Sequence, residues 1–147
     1  MNVNIAAGEK LAILGRINPQ TVANTEVFTD VVDLSRFHQA LGIALLGNMA
    51  AETIDFKCYT CDSDGSNASA LKAATQLAAS ATANDNAQVA INVRAEDLQA
   101  TSKRYVKFGL VTGGATGGPA AAIALGVDAR LDMASADNLA SVKQVKY

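Results

Sequence analysis

Apolar and polar positions alternate with a strict two-residue period at several places along the chain, which predicts strands rather than helices. In "QVAINVR", Val89, Ile91 and Val93 share one face, and Gln88, Ala90, Asn92 and Arg94 share the other. "RYVKFGLV" groups Val106, Phe108 and Leu110 opposite Tyr105, Lys107 and Gly109. The same period runs through "TIDFKCY" (Ile54, Phe56, Cys58) and "ALGIALL" (Leu41, Ile43, Leu45). It returns in "AAAIALGVDARL", with Ile123, Leu125, Val127, Ala129 and Leu131 in step. A less regular strand is expected over residues 28–34, within "VFTDVVDL". At least six strands divided by turn-rich stretches predict an all-β chain.

Two of these strands are apolar on both faces. Behind Leu41, Ile43 and Leu45 stand Ala40, Gly42 and Ala44; behind Ile123, Leu125 and Val127 stand Ala122, Ala124 and Gly126. A solvated sheet face usually carries Thr, Lys, Glu or Arg. Faces of Ala and Gly suit close approach by another layer, either a second sheet of one sandwich or a neighbouring subunit. The small residues of both strands are therefore candidate subunit contacts.

The intervening segments are less periodic. "DSDGSNAS" is a turn by its chemistry, and "ALKAATQLAASA" fits either a weak helix or a loosely packed strand and loop. "RAEDLQATSK" reads as a strand end, one helical turn and a returning loop. The tail "SADNLASVKQVKY" fits a short helix after Asp137 or an extended run. Residues 1–24 are expected to form an extended arm or edge strand, and residues 25–147 a single sandwich domain with a C-terminal tail. Val3, Ile5, Leu11, Ile13 and Leu14 are the apolar positions with which such an arm would grip a neighbour.

Composition sharpens this picture. The 147 residues fit one domain with a respectable core. Charged residues are 18% of the chain against about 25% in ordinary domains, and Trp is absent. A surface so poor in charge is expected to be covered in part by partners. A net charge of −2 gives the chain no general pull towards nucleic acid. Lys103, Arg104 and Lys107 form the one basic knot, expected as the solvated start of a strand. "MNVNIAAGEK" has no basic leader, and no apolar run approaches the ~20 residues that span a bilayer. A soluble protein made in a cytoplasm is expected.

Candidate chemistry is weak throughout. In "VTGGATGGPAAAIALGV", Gly113 and Gly118 have the spacing of a phosphate-binding loop, but Pro119 and Ala120 occupy the places of its Lys and Ser/Thr. The dinucleotide turn of short-chain dehydrogenases is approached too, yet Pro119 replaces its last Gly and the turn lies near the chain's end rather than its start. The glycines are thus expected to make a hairpin joining residues 104–112 to residues 120–131. "CYTC" (Cys58, Cys61) lacks the other half of a zinc site. On an extended strand its thiols lie too far apart to bridge, at about 10 Å between Cα atoms. Cys58 is expected in the core and Cys61 at the strand end. "DSDGSN" offers Asp62, Asp64 and Asn67 to a cation, but Gly65 and Ala73 break the calcium-loop pattern. Asp33, Ser35 and His38 supply triad letters without a triad's sequence context. No cofactor, metal or catalytic activity is expected.

The succession of "FTDVVDLSRFHQALGIALLGN", an acidic turn, "NAQVAINVRAEDLQATSKRYVKFGLVTG" and a Gly-rich stretch into "AAIALGVDAR" resembles small virion proteins of tailed bacteriophages. The capsid decoration, or cement, proteins are the nearest functional class, and the likeness covers most of residues 25–131. It implies a jelly-roll-like antiparallel β-sandwich. It further implies a homo-oligomer, commonly a trimer, that clamps the major capsid protein on the outside of an icosahedral shell. Neither nucleic acid nor membrane is implied as a partner. A tail or head-tail component, or a carbohydrate-binding jelly roll using Tyr59, Tyr105 or Tyr147, are the alternatives.

Overall fold

The computed structural model describes residues 6–131 and 133–146. Among the described residues, one helical turn, α1 (Ala7–Lys10), precedes nine strands. These are β1 (Leu11–Val22), β2 (Val27–Phe28), β3 (Val32–Asp33), β4 (Phe37–Leu46), β5 (Ile54–Cys61), β6 (Ser69–Ala73), β7 (Gln88–Arg94), β8 (Tyr105–Thr112) and β9 (Gly118–Ala129). They make two antiparallel sheets, ordered β1-β9-β4-β7 and β2-β8-β5-β6, with β3 also on β8. The pairings nest: β1 with β9, the β2/β3 segment with β8, β4 with β7, β5 with β6. Such nesting is what a long hairpin produces when it rolls up on itself, and it defines a jelly-roll sandwich. The all-β, jelly-roll-like expectation agrees with the structure.

Local chemistry accounts for the irregular places. "VFTDVVDL" splits into β2 and β3 because Thr29 takes over one rung of the ladder. Its hydroxyl oxygen accepts the Phe108 N–H at 3.0 Å, while its own N–H donates to the Phe108 carbonyl at 2.9 Å. After β7 a 3₁₀ turn, Ala95–Thr101, is started by the Asp97 carboxylate accepting the Arg94 N–H at 2.9 Å. Leu98 anchors that turn in the core at 4% exposure. Residues 69–73 are the edge strand β6, so the helical alternative for that segment is not adopted. The tail's helical turn is Ala134–Asp137, before rather than after Asp137.

Of the two expectations for residues 1–24, the edge strand is adopted over Leu11–Val22, which is laddered to β9 from Leu11↔Val127 to Val22↔Gly118. One expectation about connectivity is corrected. The Gly-rich stretch is not a hairpin within one sheet, since β8 and β9 belong to opposite sheets and residues 113–117 cross between them.

Between the sheets the core combines large rings with very small residues. Phe56 and Phe108 of β5 and β8 stack at 5.8 Å, and Phe37 of β4 is 1% exposed. Facing Phe56 and Phe108 are Ala12, Ala40, Ala44, Ala122 and Ala124, all buried. A methyl on Gly42 would lie 2.3 Å from the Phe108 ring, and one on Gly126 would lie 2.7 Å from Phe37. The rings therefore occupy the space that side chains on β4 and β9 would otherwise fill. This overturns the reading of Ala40, Gly42, Ala44, Ala122, Ala124 and Gly126 as subunit contacts. They form the inner face of the sandwich, where no neighbouring subunit reaches.

Candidate functional site

With small residues turned inward, strict alternation turns the large aliphatics of β4 and β9 outward. The register aligns them into rows. Ile43 pairs with Ile123, which pairs with Arg16; Leu41 pairs with Leu125, which pairs with Ile13; Gln39 pairs with Val127, which pairs with Leu11. On the other side Leu45, Ile43 and Leu41 meet Gln88, Ala90 and Asn92 of β7. The result is a continuous apolar surface on the outside of the four-stranded sheet. Its central members are half-buried, and Leu45 is 46% exposed. Charged side chains occur at its edges, Arg16 on β1 and Arg94 on β7. The two 3₁₀ turns and α1 meet these strands at their ends and at the β1 edge, where Leu139 donates its N–H to the Ile13 carbonyl at 2.8 Å.

The proposed arm residues fall in several places. Leu11 and Ile13 join this outer face, whereas Leu14 sits at a bulge in β1 and packs on the core. Val3 and Ile5 lie outside the described residues. Sequence reasoning missed Leu41, Ile43, Leu45, Ile123 and Leu125 as surface residues. The available signal was that β4 and β9 are apolar on both faces, whereas the second sheet among the described residues covers only one of them.

The glycine loop does cradle an anion, and the anion belongs to the chain itself. Glu52 reaches across from the segment before β5, where its carboxylate accepts the N–H groups of Thr116 at 2.8 Å and Gly117 at 2.9 Å. Desolvation pushes this carboxyl up, but donors from Thr116, Gly117, Thr112 and Gly114 outweigh it and hold its pKa below the ordinary Glu value. A depressed carboxylate stabilises the fold above its unfolded pKa, and that contribution is lost as pH falls through the folded value. Wild-type protein is thus expected to lose melting temperature on acidification below the ordinary Glu range, about 4.3. Glu52→Gln should lower stability at neutral pH and flatten that part of the profile. Thermal unfolding across the acidic range checks it, and identical profiles for the two proteins would contradict the contact.

The remaining candidates are occupied by internal bonds. Lys103 pairs with Asp62 at 3.1 Å and Asn67 donates its amide to the same carboxylate at 2.6 Å, so an ammonium sits where a cation was considered. These two contacts hold the Asp62 pKa below its usual value, the amide foremost. Arg104 pairs with Asp33 at 3.2 Å, and Lys107 donates to the Gly65 carbonyl at 2.8 Å and lies 4.0 Å over the Phe28 ring. The basic knot is therefore tied to neighbouring loops rather than freely solvated. Cys58 and Cys61 are both unbridged and fully buried, and burial pushes the Cys58 thiol up to about 12, leaving it unreactive. No group of three His, Cys, Asp or Glu among the described residues could hold a metal.

His38 is exposed at the rim of an open cleft of about 460 Å³ that also contains Arg94, Glu96 and Arg130. Glu96 holds Arg94 at 3.0 Å, and Arg130 donates to the Phe37 carbonyl at 3.3 Å. Among the described residues no hydrogen bond joins His38 to Asp33 or Ser35. Of the tyrosines, Tyr59 donates its hydroxyl to Glu26 at 2.8 Å and packs edge-on to Phe28, and Tyr105 lies beneath the Arg104 guanidinium. Tyr147 lies outside the described residues. No helix among the described residues is long and apolar enough to cross a membrane.

No protein family and no curated protein matches the sequence. Among solved structures the chain is similar to one from Bacillus endospore appendages, which form disulfide-linked pili. Identity there is 13%, over 87% of this chain and 98% of that one, with a TM-score of 0.47. It is also similar to a chain of the infectious bursal disease virus subviral particle, at 13% identity over 81% of this chain and 33% of that one, TM-score 0.45. The T13 particle of the same virus gives 10% identity over 81% and 31%, TM-score 0.42. The chain thus spans about a third of the viral chains. These neighbours come from a pilus and from virus particles.

Proposed function

We propose that this protein is a structural subunit of a virion, bound as an oligomer to the outer surface of an icosahedral shell, where it stabilises the major capsid protein lattice. The observation that carries the proposal is the apolar outer face of the four-stranded sheet. Central strands that are apolar on both sides belong to sheets covered on both sides, and here the described residues form a covering sheet on one. The protein then works by burying surface, with several attachment points adding avidity, rather than by turning over a substrate.

Particles assembled with and without the chain provide the test. Added density on the outer surface and a higher temperature of shell disruption are the expected results. Particles that exclude the protein, or are equally heat-stable without it, overturn the proposal. Deleting residues 1–24 is no test of an attachment arm, because the deletion removes strand β1 from the sandwich.

A further inference from the structure

Resting on that structural reading, we infer that the occupant of the apolar sheet face is a second copy of this chain, packed sheet on sheet about a two-fold axis. Three properties of the face point there. First, its size is that of a dimer contact. Four strands spaced about 4.8 Å apart, each contributing some eight residues at about 3.3 Å, give a footprint of about 500 Å². Two copies together then bury about 1,000 Å² before rim side chains are counted, which is where specific interfaces begin.

Second, the face is self-complementary. Ile43, Ile123, Leu41 and Leu125 form its centre in two adjacent rows without a charged group, so two copies meet apolar centre to apolar centre. The guanidinium groups of Arg16 and Arg94 stay on the edge strands, at the solvated rim. Third, its shape is that of a sheet surface, which packs on another sheet at about 10 Å with the strands roughly aligned. The same patch then serves both partners, as a two-fold contact requires. This differs from the trimer implied by the likeness to decoration proteins, since three-fold contacts join two different patches.

The test is the mass of the purified full chain in solution across the micromolar range, by sedimentation or native mass spectrometry. Wild type is expected to be dimeric. Ile43→Lys points outward and leaves the core intact. It should weaken the dimer about a hundredfold or more, because each pairing would bury two lysines. Ile43→Thr retains a β-branched strand residue and should weaken it less, which keeps the test open if the lysine variant misfolds. Dimers that become monomers with an unchanged folded-state spectrum support the inference. A wild-type monomer, or a trimer indifferent to both substitutions, overturns it. So does a monomer whose sheet face is protected only on particles, which assigns the face to the shell protein. None of these outcomes decides the structural role itself, whose failure shows separately as absence from the particle.

Discussion

Phe108→Ala is expected to lower unfolding stability by about 3–5 kcal/mol, a large share of the roughly 5–15 kcal/mol that holds a domain of this size. Phe108 is fully buried, stacks on Phe56 and presses its ring onto the backbone of Gly42 across the sandwich. Truncation removes the transfer energy of the ring and leaves a cavity that neighbouring alanines are too short to fill. Denaturant unfolding with an unchanged slope measures it, and a loss under about 1 kcal/mol would refute this packing. The converse substitution probes the same contact from the other sheet. Gly42→Ala puts a methyl 2.3 Å from the ring and is expected to cost about 1–3 kcal/mol by overpacking. Combined with Phe108→Leu it should cost less than the sum of the two, because the smaller side chain admits the methyl.

Gly117→Ala is the second large effect. Gly117 has a φ of +58°, and a Cβ there would lie 1.8 Å from the Val22 carbonyl oxygen. The left-handed backbone costs an ordinary residue about 1–2 kcal/mol. Displacing a backbone carbonyl at the end of β1 adds about 1–3 kcal/mol. Because Gly117 also donates its N–H to Glu52, the substitution should loosen the carboxylate cradle as well. A loss of the summed size, about 2–5 kcal/mol of unfolding free energy, together with the flattened acid profile of Glu52→Gln, is the expected outcome. Alanine at residue 117 with wild-type stability would show that the loop does not need the left-handed turn.

Most strands could be read from the sequence because their alternation pits large apolar groups against polar ones. Ile91 and Val93, and Val106, Phe108 and Leu110, are buried on the expected faces. For β4 and β9 the same period left the direction open, since both faces are apolar and a one-residue change of register exchanges them. The glycine stretch is similar. Its composition predicts a turn, but the sheets it joins depend on strand pairing across the whole chain.

By itself, then, the sequence determined the all-β architecture, the positions of the regularly alternating strands and the failure of the phosphate-loop, zinc and calcium patterns, because these depend on neighbours a few residues away. Only the tertiary structure decided which face of β4 and β9 is inside. The rings of Phe37 and Phe108 need the room that Gly126 and Gly42 leave, and this sends Leu41, Ile43, Ile123 and Leu125 to the surface. The Glu52 cradle was likewise decided in three dimensions, for its donors lie 64 and 65 residues along the chain. Alternation has a period but no sign, and the sign came from the volumes of the rings packed between the sheets.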